Sequence, residues 1–166
     1  MEFVNMLINA IGTATTIAAI LAFFYKIICW FLGITPIVKR LGFGLWRREI
    51  SIVAKTKDSF EDIKRDLVSS GVFRDKNIKY INDNNLLDLK KSSIILLHED
   101  MVNALEQVAN SRPSRSGLIV YCPQKRLEEA QMNLINSNPN SIVVNFRGRL
   151  LNDVIMMLVS TSYVEN

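Results

Sequence analysis

Residues that hold metals and redox centres are scarce in this chain of 166 residues, which contains two cysteines and one histidine. Metal sites usually need three or four well-spaced ligands, and no such group of His and Cys exists in the sequence, so we expect no metal. Cys29 stands beside an apolar segment and Cys122 stands far away in the polar part of the chain. We interpret both as reduced thiols.

The motifs of common nucleotide-binding and hydrolytic sites are also missing. The sequence contains no G-x-G-x-x-G, Walker or G-x-S-x-G motif, and no motif marks Cys122 as a nucleophile. A two-component receiver would need an acidic pair after its first strand, where this chain has Ala54, Lys55 and Thr56. The sequence therefore predicts no cofactor, excludes a receiver and gives no support for enzyme activity.

Charge is absent from residues 3–25, in a chain that otherwise carries 20 basic and 16 acidic side chains. A helix of about 20 residues crosses a hydrocarbon core of about 30 Å, so this run is long enough to span a bilayer. A signal peptide would have basic residues before a shorter apolar core and small residues after it. Here Glu2 precedes the run and Lys26 follows it, so we predict one retained transmembrane helix.

Basic residues after this run set the predicted orientation. Four of them form a collar suited to anionic headgroups: Lys39, Arg40, Arg47 and Arg48. Because only Glu2 precedes the run, the positive-inside rule places the C-terminal part in the cytoplasm. We predict a single-pass protein of the cell inner membrane, with a transmembrane and juxtamembrane segment at residues 1–48 and a cytosolic domain at residues 49–166.

A second apolar run, residues 27–38, is interrupted by Gly33 and Pro36 and is too short for another crossing. We expect it to extend the first helix or to lie at the membrane interface. Trp30 and Trp46 are the predicted aromatic anchors at that interface.

Two stripes of the predicted transmembrane helix indicate contacts with other helices. Spacings of four and three residues place mostly polar or small side chains on one face: Asn5, Asn9, Gly12, Thr16, Ala19, Phe23 and Lys26. On a neighbouring face alanine recurs at every fourth position, a pattern that lets helix backbones approach closely in lipid: Ala10, Ala14, Ala18 and Ala22.

These stripes allow three interpretations. Several copies would surround a central path with Phe23 as a hydrophobic constriction, which makes an oligomeric pore. Alternatively, the copies associate without a pore. In the third interpretation the helix is a plain anchor, with its Asn and Thr side chains near the outer interface.

Short apolar runs alternate with helical patterns in the rest of the chain. We predict strands at residues 49–54, 77–81, 94–97, 118–122 and 141–146, and helices at residues 58–69, 100–109, 125–135 and 150–159. This alternation implies a mainly parallel sheet, and the fully apolar runs fit strands buried on both faces. The predicted fold class is α/β, a small three-layer, flavodoxin-like or Rossmann-like domain with five strands.

Ligands of open parallel sheets bind at the carboxyl ends of the strands, and the loops there contain the candidate site. In the last of them, Gly148 lets a backbone come close, and Arg147 and Arg149 stand where helix-start amides favour phosphate. Other strand ends add four residues to the predicted anion site: Lys55, Thr56, Lys57 and His98. Alternatively, the two arginines are surface charges or make salt bridges between subunits, and Gly148 serves only the turn.

His98 stands at the end of an apolar run beside Glu99 and Asp100. Its position allows a role in proton transfer or metal binding. A single histidine at a strand end is more often held by hydrogen bonds, so we assign it to ligand binding and not to a metal.

The order of elements, the run LKKSSIILL at residues 89–97 and the helix at residues 62–70 ending at Gly71 resemble a TIR-like domain over residues 49–125. No residue matches the catalytic glutamate of the NAD-cleaving TIR enzymes, so the resemblance implies architecture and not activity. The layout, a short membrane segment before a small cytosolic α/β sensor, resembles membrane effectors of prokaryotic antiviral defence, some of which sense nucleotide signals through Rossmann-like domains.

Three functions follow as expectations. In the first, a homo-oligomer in the lipid membrane binds a nucleotide second messenger, and the binding shifts its helices to gate or disrupt the membrane. In the second, a membrane-tethered adaptor recruits a signalling partner protein. In the third, a TIR-like membrane-bound enzyme processes NAD or a nucleotide at His98 and Glu99. None of the three involves direct binding of duplex nucleic acid.

Overall fold

The computed structural model describes residues 1–123 and 127–161, and the chain divides into two compact units, Met1–Lys39 and Arg40–Asn166. The α-helices are α1 (Glu2–Phe31), α2 (Ile34–Arg47), α3 (Lys57–Ser69), α4 (Leu105–Ser111), α5 (Glu129–Ser137) and α6 (Leu150–Ser160). The strands are β1 (Ile50–Val53), β2 (Ile78–Ile81), β3 (Ile94–His98), β4 (Gly117–Tyr121) and β5 (Ser141–Val144). Short 3-10 segments cover Asp75–Asn77, Asp83–Lys91, Glu99–Ala104 and Arg147–Arg149.

Helix α1 contains the whole uncharged run and confirms the prediction of a long apolar N-terminal helix. Its most apolar 18-residue window has a mean hydropathy of 1.9 and is not buried inside the protein. Among the described residues it is the one helix long and apolar enough to span a membrane. Thr13 and Thr16 donate their hydroxyl hydrogens to the carbonyls of Asn9 and Gly12, at 2.8 Å each, which lowers the cost of placing these hydroxyls in an apolar medium.

A glycine separates α1 from α2. Gly33 has a φ of +73°, a conformation that a Cβ disfavours, and its amide donates to the carbonyl of Trp30 at 3.1 Å. Pro36 lies in the first turn of α2, where its missing amide hydrogen removes no intrahelical bond. The second apolar run is therefore divided between two helices.

The five strands form one parallel sheet in the order β2-β1-β3-β4-β5, which confirms the predicted α/β class. The three central strands β1, β3 and β4 are almost wholly buried, because helices cover both faces of the sheet. Val53 lies opposite Leu97, and His98 lies opposite Tyr121. The carboxyl ends of neighbouring strands are thus aligned along one edge.

Two apolar layers enclose the sheet and confirm the three-layer arrangement. On one face, α3 and α6 bury apolar side chains against the strands: Phe60, Ile63, Leu67, Val154, Met157 and Leu158. On the other face, α4, α5 and the 3-10 segments do the same: Leu89, Met101, Leu105, Val108 and Ile135.

The helix predicted at residues 100–109 has a different start from the one expected. The chain first forms the 3-10 segment Glu99–Ala104 and becomes α-helical only at Leu105. The His98 ring accepts a hydrogen bond from the amide of Asp100, so this 3-10 segment starts at a side-chain cap that the apolar spacing does not reveal.

The helix predicted at residues 125–135 begins later, at Glu129. The backbone amide of Glu128 donates to Gln131 Oε1 at 3.0 Å, a capping interaction that fixes where the helix starts. Lys125, the predicted first residue, lies outside the described residues.

Arg48, which we assigned to the basic collar, is buried inside the α/β unit and only 2% exposed. Its Nη1 donates to the Leu158 carbonyl at 2.8 Å and to Thr161 Oγ1 at 2.9 Å, and its Nη2 donates to the Thr161 carbonyl at 2.8 Å. These acceptors lie at the C-terminal end of α6, where a cation is favourable. The collar assignment is wrong for this residue, because its charge is satisfied inside the protein.

Candidate functional site

The candidate site lies where two connections leave the sheet on opposite faces. Strand β1 stands between β2 and β3. The chain after β1 enters α3 on one face, whereas the chain after β3 enters Glu99–Ala104 on the other. Such a topological switch point leaves a crevice at the carboxyl ends of the strands, where ligands of doubly wound α/β folds bind.

Lys55, Thr56 and Lys57 form the entry to α3 at this switch point. Thr56 caps the helix, because its Oγ1 accepts a hydrogen bond from the Ser59 amide at 3.2 Å. The hydroxyl of Tyr80 donates to the Lys55 carbonyl at 3.3 Å. Both lysine side chains are exposed, and within the described part of the chain neither has an ion-pair partner. Two cations thus flank a helix N-terminus, an arrangement suited to a phosphate.

Lys55 also lines a polar recess of about 340 Å³. The other polar residues of this recess follow β2 and β3: Asp83, Asp100, Asn103 and Gln107. The carboxylate oxygens of Asp100 are buried, but the exposed carboxylate of Asp83 beside the Lys55 ammonium favours a group that donates hydrogen bonds over a bare anion. The volume falls at the lower end of the usual range for small-molecule pockets.

His98 is held by its own loop. Its Nδ1 lies 3.0 Å from Asp100 Oδ1 and 3.3 Å from the Asp100 amide nitrogen. The two contacts exclude each other: the amide needs a bare Nδ1 as acceptor, whereas the carboxylate needs a proton there. The ring also lies 6.0 Å from the ring of Tyr121, measured between centroids. In either protonation state the Nδ1 atom has a partner inside the protein.

Arg147 is paired with two carboxylates of α3. Its Nε and Nη2 donate to the two carboxylate oxygens of Asp66 at 2.5 and 2.8 Å, and its Nη1 lies 2.8 Å from Asp62 Oδ2. Hydrogen bonds to Asp66 and Asp62 raise the pKa of Arg147, and the bond from Arg147 holds the pKa of Asp62 below its usual value. The pairing lies within one chain and joins the loop after β5 to α3.

The remaining residues of that loop make weaker contacts. Arg149 Nη2 lies 3.7 Å from Asp153 Oδ1, one helical turn further on, which is typical of a weak exposed pair. A Cβ placed on Gly148 would lie 2.7 Å from Cε1 of Phe146.

The predicted ligand residues are therefore not brought together at one point. Lys55, Thr56 and Lys57 stand at the start of α3, and His98 is held in the loop after β3. Of the loop after β5, only Arg147 contacts the acids of α3.

Several residues of the site were not predicted. Asp83 stands two residues after the end of β2 and would have been found by applying the strand-end argument to that strand. Asp62 and Asp66 stand one turn apart on α3, but nothing in their spacing identifies Arg147 as the partner. Asn103 and Gln107 carry no sequence signal for the recess.

The predicted stripe of α1 is exposed in the N-terminal unit: Asn5, Asn9, Gly12, Thr16, Phe23 and Lys26. A shallow groove of about 530 Å³ runs along part of it and is lined by Ile8, Asn9, Gly12, Thr13, Thr16 and Ile17. A Cβ built on Gly12 meets no atom within 4 Å. This face is therefore open to close approach by another helix.

The fold and the strand-end crevice define a class: a doubly wound α/β domain that follows a long apolar helix. Comparison with known proteins adds no narrower assignment, because no family model and no curated protein matches the chain. Function must therefore be argued from the site, since a fold of this class hosts many activities.

The pairing of Arg147 with α3 predicts a measurable pH dependence. Replacing Arg147 by Gln is expected to raise the pKa of Asp62 towards its ordinary value, because the largest cause of its lowering is removed. The folded-state pKa lies below the unfolded one, so the stabilisation is fully present above the ordinary carboxyl pKa of about 3.9 and is lost as the pH falls through the lowered value. At these exposed side chains it amounts to under about 1 kcal/mol.

A carboxyl-detected NMR titration of the full chain measures this pKa directly. Arg149→Gln is the matched control, since Arg149 pairs with Asp153 and not with α3, and it should leave the Asp62 titration unchanged. An Asp62 pKa that is the same in Arg147→Gln and in the unmodified chain would contradict the assigned pairing.

Proposed function

We propose that this chain is a homo-oligomeric membrane effector whose α/β domain senses a nucleotide-like anion and gates or disrupts the membrane through its N-terminal helices, in a role in antiviral defence. One observation carries the proposal: the entry to α3 places Lys55 and Lys57 at a helix N-terminus beside a polar recess. The same chain carries an exposed apolar helix of 30 residues.

The chemistry of the two neighbouring features favours a nucleotide over inorganic phosphate. Lys55, Lys57 and the amides at the start of α3 suit the phosphate. The exposed carboxylate of Asp83 and the amide side chains of Asn103 and Gln107 in the recess suit the hydroxyl and amino groups of a nucleoside. Lys55 belongs to both features, so one ligand of this kind would contact the two together.

In this proposal α1 crosses the inner membrane and the α/β domain lies in the cytoplasm, as the basic residues after the helix favour. The polar side chains within the apolar run, such as Asn9 and Thr16, are costly in lipid and are best placed against other helices. A single helix cannot enclose a path for ions. The open face around Asn9, Gly12 and Thr16 supports contact between copies at this point.

The ligand gates the membrane only if it binds one arrangement of the oligomer more tightly than the other. A shift of the population from about 1:99 to 99:1 needs about a 10⁴-fold difference in affinity. Several sites in one oligomer reach this difference more easily than one site, because their contributions multiply. This requirement is a further reason to propose an oligomer.

A second candidate is a membrane-tethered adaptor, favoured by the outer face of α6. Met156 is 64% exposed, and α6 carries apolar residues around most of its circumference. A helix of that composition usually packs against further protein. An adaptor would signal through this face and would be indifferent to nucleotides.

Replacing both Lys55 and Lys57 by Gln is expected to weaken nucleotide binding at least about tenfold, because each charge-assisted hydrogen bond contributes about 1.5–3 kcal/mol. Binding is measured by calorimetry on the full chain in lipid nanodiscs, with a panel of linear and cyclic nucleotides. Ligand-dependent leakage of a dye from vesicles tests the membrane step with the same variants.

The matched control removes Lys90 and Lys91, an exposed pair that precedes β3 at the opposite edge of the sheet. Lys90→Gln with Lys91→Gln should bind as the unmodified chain does. If no member of the panel binds the intact oligomer, or if the Lys55 and Lys57 variant binds normally, the sensor proposal is wrong and the adaptor is favoured.

A further inference from the structure

A second concave surface lies within the N-terminal unit, between the end of α1 and the start of α2. It encloses about 650 Å³. One side is apolar and aromatic, with Phe23, Trp30 and Phe31. The polar groups are Lys26, Thr35 and Lys39. We call this surface the α1–α2 groove.

The charge of the α1–α2 groove is of one sign. Lys26 and Lys39 both line it, and no acidic residue does. Thr35 belongs to the first turn of α2, so the positive end of that helix points to the same region. An anionic group is therefore the complementary occupant, and the aromatic wall beside it requires that the same ligand has an apolar part.

The position of the groove along α1 agrees with this chemistry. Lys26 is the first charged residue after the run that is long enough to cross the hydrocarbon core, so the groove begins where that core ends. Trp30, 62% exposed, is of the residue type that concentrates at this depth. Lysine stems lie along apolar surface there while their ammonium groups reach the headgroups.

We propose that the α1–α2 groove is a binding site for one anionic phospholipid of the cytoplasmic leaflet, with its phosphate held by Lys26, Lys39 and the start of α2 and an acyl chain against Phe23, Trp30 and Phe31. The inference rests on the membrane insertion of α1 proposed above and is independent of the nucleotide site. A bound lipid would hold the turn at Gly33 at the membrane surface.

Trp30 reports occupancy of the groove directly. The chain has two tryptophans, so Trp46→Phe leaves Trp30 as the only one. The full chain with this change is placed in two bilayers of identical composition, phosphatidylcholine with a minor fraction of phosphatidylglycerol. In one bilayer the phosphatidylglycerol carries brominated acyl chains, which quench tryptophan fluorescence. In the other bilayer the phosphatidylglycerol is unmodified, and an equal amount of the phosphatidylcholine carries the brominated chains.

The expected result is stronger quenching by the brominated phosphatidylglycerol. It corresponds to a preference of about 5- to 30-fold for phosphatidylglycerol over phosphatidylcholine, since each lysine increases the affinity for an anionic headgroup about fivefold. Lys26→Gln with Lys39→Gln should abolish the preference, and Lys26→Arg with Lys39→Arg should retain it. Lys55→Gln with Lys57→Gln, which removes the same charge from the α/β domain, should leave it unchanged.

Four results would overturn the inference. The first is equal quenching by the two lipids, and the second is a preference that survives in the Lys26 and Lys39 glutamine variant. The third is a preference that is lost in the Lys55 and Lys57 control. The fourth is loss of the preference when inorganic phosphate replaces chloride at matched ionic strength. The last would assign the groove to a soluble anion. Quenching by neither lipid would overturn the membrane insertion as well, whereas failure of nucleotide binding alone would leave this result intact.

Discussion

Replacing Arg48 by Ala is expected to destabilise the α/β unit by about 3 kcal/mol or more. The change removes three hydrogen bonds from a buried guanidinium, and bonds to charged groups contribute about 1.5–3 kcal/mol each. It also leaves the carbonyls of Leu158 and Thr161 without this donor in a buried place, which costs further free energy. The midpoint of thermal unfolding should fall by roughly 10 °C for a domain of this size.

The neighbouring arginine provides the control for this experiment. Arg47 is exposed and lies over the ring of Trp46, with its Cζ 5.6 Å from the ring centroid. Arg47→Ala should change the free energy of unfolding by less than about 0.5 kcal/mol. Circular dichroism of the full chain in detergent micelles follows both variants, because the helices of the α/β unit unfold in the transition. Equal melting of Arg48→Ala and Arg47→Ala would show that the buried contacts contribute nothing.

The contrast between Arg47 and Arg48 shows why burial could not be predicted at this point. Both follow the apolar segment, and by sequence both belong to one basic collar. The difference arises from the end of α6, more than 100 residues away, where the carbonyls of Leu158 and Thr161 need donors. Local charge patterning contains no information about that helix end.

The sheet was predictable, because its pattern is local and strong. Ile94 to Leu97 and Leu118 to Val120 are wholly apolar and too short for helices, and both are buried on both faces. A predicted helix follows every strand except the second, and this alternation favours parallel crossovers. The 3-10 segment Asp83–Lys91 was missed, because a polar stretch anchored by one fully buried side chain, Leu89, has no periodicity to detect.

The candidate site was predictable only where its residues follow a strand directly. Lys55 and Thr56 were found because β1 ends at Val53, two and three residues earlier. The ion pairs of Arg147 with Asp62 and Asp66 could not be predicted, because they form only when α3 and α6 share one face of the sheet. The sequence placed that arginine correctly at a strand end, but the folded chain decides what it contacts.

The contacts of α3 and α6 give the proposed gating a continuous path inside the α/β unit. Lys57 stands at the start of α3, and Asp66 on the same helix holds Arg147 just before α6. The other end of α6 holds Arg48, which follows α2 directly. A ligand that displaces α3 would move Arg147 at one end of α6 and, through that helix, Arg48 at its other end. These contacts couple the ligand site to the N-terminal helices only when the ligand binds one arrangement of the oligomer more tightly than the other.

Replacing Gly117 by Val is expected to destabilise the α/β unit by about 3 kcal/mol, because α6 lies directly against this position. A Cβ built on Gly117 would stand 2.7 Å from the Met157 sulfur and closer still to its Cγ. Met157 is itself buried, at 4% exposed, so it has little space into which to move. Overpacking a dense core costs about 1–3 kcal/mol and sometimes more, and valine adds two further methyl groups to the overlap.

Gly148→Val is the matched control, since it meets a similar contact in a different environment. A Cβ there would lie 2.7 Å from the ring of Phe146, but that ring is 64% exposed and can rotate into solvent. We expect a loss of less than about 1 kcal/mol, and a midpoint of thermal unfolding close to that of the unmodified chain. If Gly117→Val melts as late as Gly148→Val, then α6 does not pack on β4 at Gly117. In that case the path from Arg147 to Arg48 would lose the helix that connects them.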